Sequence, residues 1–270
     1  MMTRTVQLIV LSTLVAGCAA EPEPEPITIT NGQGEIAGEV TADSVILHSR
    51  LTTEAVVVDG DVPGAQGVAR FELATSDDFA NAMESPWLEA TAEGDFIVQT
   101  RMAGLTAGTR YVYRLRYGPG QDNTRLGPVR SFSTLPGADG ATTVSFVVVT
   151  GMNYARFYGD GPRTGSPEDK LLGYPALETI LGKHPAFFVA TGDNVYYDTP
   201  REPRAKTISE LRQKWHEQFV QPRYGELFAE TPTYWMIDDH DYRIDDCDNS
   251  GDYEPSPELG QRIMLEQLPY

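Results

Sequence analysis

Between Ile27 and Pro136 the apolar positions fall in short runs separated by turn residues. Ser44–His48, Ala55–Val58, Phe96–Val98 and Tyr111–Leu115 read as strands, and Arg130–Thr134 reads as the last one. Asp59-Gly60-Asp61 and Tyr117-Gly118-Pro119-Gly120 are turn signals between them. This pattern predicts a β-sandwich over 27–136. His48 lies in one of its strands, where packing or surface polarity is expected of it rather than catalysis.

The period changes after a short Gly-containing linker at 136–141. Val144–Val149 is an apolar run broken only by Ser145, the pattern of a parallel strand buried on both faces. Lys170–Gly182 reads as a helix and Phe187–Ala190 as a second buried strand. Thr207–Val220 is helical, with Ile208, Leu211, Trp215 and Phe219 on one stripe. Tyr234–Ile237 is a third strand. Strands alternating with helices predict an α/β arrangement over 142–270.

Residues 1–17 carry a basic start at Arg4, an apolar run and then small residues, as a secretory signal does. Leu14-Val15-Ala16-Gly17-Cys18 resembles the bacterial lipobox, which implies lipidation of Cys18 and a lipid-anchored envelope location. The alternating Glu-Pro stretch over 18–26 would be a stiff tether. Cys247 would then be the one mature cysteine free for chemistry.

The chain has 270 residues, 40% of them hydrophobic and 22% charged, which is ordinary globular usage. Lys and Arg number 21 and Asp and Glu 39, a net charge of −18. Such a surface disfavours nucleic acid, and no nucleic-acid-binding module is expected. An anionic substrate stays compatible with it where a bound cation inverts the local field. Two cysteines exclude a disulfide-dense scaffold. The sequence sets no expectation for oligomeric state.

Each α/β strand ends in a polar cluster, where ligands collect in such folds. The clusters are Thr150–Tyr154, Thr191–Asp198 and Asp238–Asp248. Asp193 sits at a strand tip behind Gly192, and Tyr196 is three residues on, so both oxygens can turn to one point favoured by hard or borderline cations. Asp238, Asp239, His240 and Asp241 repel one another unless solvated or neutralised by cations. A surface turn and a solvated acidic loop are the plainer readings of either cluster alone; together the two favour a metal site.

Gly192-Asp193-x-x-Tyr196 resembles the second motif of the calcineurin-like metallophosphoesterases. Asp238-Asp239-His240-Asp241 resembles the variant third motif of the alkaline phosphatase D (PhoD-like) enzymes. Phe132-Ser133-Thr134-Leu135-Pro136 is similar to the end of their N-terminal domain. Leu105–Tyr111 resembles the tyrosine corner of immunoglobulin-like and fibronectin type III sandwiches. The fold class implied is α+β/α/β in two domains: a fibronectin III-like β-sandwich, then the first half of a metallophosphoesterase αββα sandwich, truncated.

The resemblance implies a metal-dependent phosphoric ester hydrolase with a phosphate ester as substrate and a metal-activated water as nucleophile. Two divalent or trivalent ions are implied, iron and/or calcium. Asp193 would bridge them, Tyr196 would be a phenolate ligand, and Asp239 would replace the usual Asn. His240 would stabilise the phosphoryl group or protonate the leaving oxygen. Asn153, Asp238 and Asp241 are further candidate oxygens, and Arg243 could hold phosphate or neutralise the neighbouring aspartates. Tyr154, Tyr196, Tyr197, Tyr242 and Trp235 could wall a pocket or pack in the core. His184 and His216 are expected to be structural or on the surface.

Two departures from the family pattern stand out. The first motif's Asp or Cys is absent from Thr150–Asn153, and the chain stops at Tyr270 where the family continues into a second half-sheet with further ligands. These departures predict a fragment. They also keep open a non-catalytic envelope binding lipoprotein with a degenerate phosphatase half, and a calcium-stabilised structural protein.

Overall fold

The computed structural model describes residues 29–138, 140 and 142–270. The signal segment, Cys18 and the Glu-Pro stretch lie outside the described residues. Among those described, no helix is long and apolar enough to cross a membrane.

Nine strands come first: β1 (Glu35–Gly38), β2 (Ser44–Arg50), β3 (Gly67–Ala74), β4 (Met83–Glu84), β5 (Leu88–Ala90), β6 (Ile97–Ala103), β7 (Arg110–Gly120), β8 (Asn123–Leu126) and β9 (Arg130–Ser133). One sheet runs β4-β3-β7-β8, with β5 on β3 and β9 on β7. It faces β1, β2 and β6 across a core of Val45, Leu47, Leu51, Val98, Phe71, Leu73, Tyr113 and Leu115. The tyrosine corner is present: the Tyr111 hydroxyl accepts from Thr106 N at 2.9 Å.

The α/β half follows with β10 (Val147–Val149), α1 (Tyr154–Tyr158), α2 (Pro167–Leu172), α3 (Pro175–Leu181), β11 (Phe188–Thr191), α4 (Ile208–Phe219), α5 (Pro222–Phe228), β12 (Thr233–Met236) and α6 (Pro257–Gln267). β10, β11 and β12 are parallel neighbours. β12 then pairs in parallel with β1 at Gly38 and Thr233. The sheet order is therefore β10-β11-β12-β1-β2-β6. The two composition regimes of the sequence share this sheet, so the boundary at 136–142 is not a break in the hydrogen-bonded framework.

Side chains on the second face of this sheet meet the helices. Ile36, Phe188, Ala190 and Trp235 pack with Leu211, Trp215 and Phe219 of α4, Leu227 and Phe228 of α5, and Ile263 and Met264 of α6. Burial of this apolar stripe holds the strand tips that carry the candidate ligands.

Several sequence expectations change. Ala55–Val58 is not a strand; Val58 makes one isolated bridge to Asp61, and Val56 is 58% exposed. The helix expected over 170–182 is two helices. Gly173 breaks it at φ +97, and Pro175, lacking an N–H, starts the next. The strand expected over 144–149 is short, and Val148 is 53% exposed on the face where burial was expected. Met236 of β12 is exposed beside it.

Candidate metal centre at the strand tips

Two strand tips build the site. β11 is followed by Gly192 and Asp193, and β12, after Ile237, by the run from Asp238 to Asp241. Gly192 has φ +97, and a Cβ there would lie 2.3 Å from Asp238 Cβ. Only glycine lets the tips approach this closely. Asp193 itself holds φ +54, a left-handed conformation unusual for a residue with a side chain.

Asp193, Asp239 and His240 each offer a ligand atom, and these atoms all lie within 4.8 Å of one another. Asp193 Oδ2 accepts from the Tyr196 hydroxyl at 2.7 Å. Its Oδ1 is buried and has no hydrogen-bond partner. A buried carboxylate oxygen without a donor is costly, and a cation at this point would satisfy it, so the donor set fits a hard cation. Burial first, then the Asp193 carboxylate, push the Tyr196 hydroxyl up, so it keeps its proton while it donates to Asp193. Asp239 Oδ2 accepts from Asp246 N at 2.5 Å.

His240 is oriented by a residue the sequence reading left without a role. Asp198 Oδ1 lies 2.9 Å from His240 Nδ1, and Asp198 Oδ2 accepts from Asp245 N at 3.0 Å. The Tyr196 ring lies 4.3 Å from the imidazole, centroid to centroid. Tyr197 N donates to His240 O, which ties the two motifs through the backbone. Asp198 follows Tyr196 by two residues, a spacing that could have flagged it as a neighbour of the site.

The remaining candidates do other work. Asp241 is fully buried, and its carboxylate accepts from Asp238 N at 2.7 Å, Asn194 N at 3.0 Å and the Asn194 amide. It pins one strand tip to the other. Burial pushes its carboxyl up to about 6 despite those hydrogen bonds. Arg243 is 1% exposed and spends its guanidinium on the carbonyls of Asp248, Ser250, Gly251, Tyr253 and Pro255. It braces that loop and pairs with none of the neighbouring carboxylates. Asn153 Oδ1 caps α1 through Arg156 N at 3.0 Å. Asp238 is exposed and accepts from Asp239 N. Tyr197 and Trp235 are core residues, whereas Tyr196 is half-buried at the site.

The β10 tip arrives without a ligand. Met152 N donates to Asp193 O at 3.1 Å, and Thr150 Oγ1 donates to Gly192 O at 3.0 Å. The first-motif position is thus beside Asp193; the Thr150 hydroxyl and Asn153 Oδ1 meet backbone groups, and Asn153 Nδ2 is buried without a partner. Cys247 is a free thiol, half-buried and donating to Asp248 O.

His216 departs from a surface or packing role. It is 2% exposed, with Nδ1 2.6 Å from Asp61 and Nε2 2.6 Å from Asp95, two carboxylates of the sandwich. Arg50 and Gln267 also bond Asp95. This network joins α4 and α6 to the sandwich loops.

Residues 17–136 match the family of the PhoD-like phosphatase, N-terminal domain. No curated protein matches the chain. The solved structure of PhoD superposes with a TM-score of 0.68 at 19% identity, covering 93% of this chain and 48% of that one. A purple acid phosphatase, PPD1 from yellow lupin (Lupinus luteus) seeds, superposes with a TM-score of 0.55 at 12% identity, covering 86% and 39%. The chain therefore spans about half the length, or less, of these solved relatives.

Proposed function

We propose that this chain, whose residues 17–136 match the PhoD-like phosphatase N-terminal domain and whose fold resembles that of PhoD, is a metal-dependent phosphoric ester hydrolase of the cell envelope. The observation that carries the reading is the convergence of Asp193, Asp239 and His240, with Asp193 Oδ1 buried and unpartnered.

Asp193 and Asp239 would hold the cations, with Tyr196 beside them once its proton is released. Bound divalent or trivalent ions supply Lewis-acid charge that activates a water and neutralises the ester oxygens. Asp198 fixes the His240 ring through Nδ1, which leaves Nε2 turned toward Asp245 at 3.5 Å on the more open side. A phosphoryl or leaving-group oxygen on that side would meet His240 as hydrogen-bond donor. Asp241 and Gly192 set the distance between the tips, and so position both carboxylates.

The expected result is metal-dependent hydrolysis of p-nitrophenyl phosphate or its diester by the purified chain. Asp193→Asn should lower the rate by about 100-fold or more, an effect of the size seen when a group acting on developing charge is removed. No hydrolysis with any of calcium, manganese or iron would count against a catalytic chain.

One observation favours the second reading, a binding protein with a degenerate phosphatase half: the Thr150 hydroxyl and Asn153 Oδ1 meet backbone groups at the first-motif position. In that case cations bind and no ester turns over. On either reading Cys18 is the lipid attachment point, supported by the Leu14–Cys18 pattern. Metabolic labelling with a fatty acid should mark the native chain and not Cys18→Ser.

A further inference from the structure

Most of this protein's cations are used. Arg50, Arg70, Arg114, Arg116, Arg130 and Arg212 are in ion pairs with carboxylates. Arg101, Arg125, Lys170 and Arg243 bond hydroxyl or carbonyl oxygens instead, so in a protein of net charge −18 the cations with no side-chain partner at all are a minority. Among the described residues, such cations gather in two segments. Arg156 and Arg163 lie in the segment that leaves the β10 tip. Arg201, Arg204 and Lys206 lie in the segment that leaves the β11 tip. None of their side chains makes an ion pair or a hydrogen bond among the described residues, and the same holds elsewhere only for Lys183 and Arg262.

Both segments start at the candidate centre and are held there. The first is anchored by Met152 N on Asp193 O, and Gly151 lies with its Cβ position 3.9 Å from the Tyr196 hydroxyl oxygen. The second starts at Asp198, which holds His240, and returns through Ala205 N donating to Tyr197 O at 2.8 Å. Arg156 and Arg163 share the wall of an open pocket of about 360 Å³, whose one carboxylate, Asp160, pairs with neither. Arg204 is half-buried, with Nε shielded from solvent and unpartnered.

We infer that these two segments form an anion-binding rim beside the centre, for a compound that carries two phosphoryl groups. Its substrate class rests on the phosphoester reading above. A planar guanidinium offers a fork of donors that suits phosphate oxygens. Cations without carboxylate partners bind an anion without first breaking an ion pair. The rim also draws polyanions to a protein whose overall field repels them. The class of ligand is a compound with two phosphoryl groups within a few bonds, in preference to a simple monoester.

The test is calorimetric titration of the whole chain with inorganic pyrophosphate and with orthophosphate, in metal-depleted buffer of low ionic strength. Pyrophosphate should bind about tenfold more tightly than orthophosphate, and Arg156→Gln with Arg204→Gln should remove that margin. Arg163→Gln, on the surface, should reduce it without any effect on folding. Lys183→Gln with Arg262→Gln removes the same charge elsewhere and should change it less than twofold. Equal loss in both double variants, or no margin in the unaltered chain, overturns the rim. Asp193→Asn should keep the margin, since the rim does not need that carboxylate. A margin that persists in a chain hydrolysing no ester supports the rim and counts only against the phosphoester reading.

Discussion

Gly192 sets the geometry of the centre although it carries no ligand atom. Its positive φ and its contact with Asp238 leave no room for a side chain. Gly192→Ala should therefore destabilise the chain by about 2–4 kcal/mol in urea unfolding, through backbone strain and a forced shift of the β12 tip. Cation affinity should fall with it, because Asp193 and Asp239 move apart. The residue types of the site were legible in the sequence, where Gly-Asp and Asp-Asp-His follow apolar runs. The division of labour among them was not. Asp241 and Arg243 sit in the same acidic stretch as Asp239, yet one bonds the Asn194 turn and the other the carbonyls of residues 248–255. Those partners are set by tertiary folding and leave no mark on local spacing.

α4 is the element on which both halves depend. Its apolar stripe was readable from the period, and its start from Thr207 and Glu210, which form a capping box. Its polar side was not readable. Arg212 reaches Glu266 of α6 and the Glu93 carbonyl, Gln213 reaches the Gly60 carbonyl, and His216 reaches Asp61 and Asp95. Each partner is remote in sequence. Trp215 is fully buried among Phe219, Trp235 and the α6 side chains, and its Nε1 donates to the Tyr197 hydroxyl. Trp215→Ala should cost about 3–5 kcal/mol by the cavity it leaves, read as a lowered midpoint of thermal unfolding. The expected helix over 170–182 failed for a local reason, the Gly173–Pro175 break. The expected strand at Ala55–Val58 lacked a partner strand, which no single segment can reveal.

At the scale of the molecule, the shared sheet and the buried polar junction hold sandwich and α/β half together. His48 lies in this sheet with both ring nitrogens buried and unpartnered, and burial pushes it down to about 4. The unfolded chain takes up that proton near pH 6.5 and the folded chain only near 4. Stability is therefore full above about pH 6.5 and falls as the pH drops toward 4, by about 3 kcal/mol from this residue. His48→Gln should flatten that limb in urea midpoints measured at pH 7 and pH 4.5. Burial also works to raise Asp95, but the His216 hydrogen bond and the Arg50 charge win and hold it at about 2. A second loss follows as the pH falls below about 3.8 toward 2. The central claim is that the strand tips form a cation centre. Its most direct test is calorimetric titration of calcium or manganese into the metal-depleted chain, beside Asp193→Asn and Asp239→Asn. Saturable binding of at least one ion per chain, lost in both variants, is the predicted result. An isotherm unchanged by either substitution would contradict it.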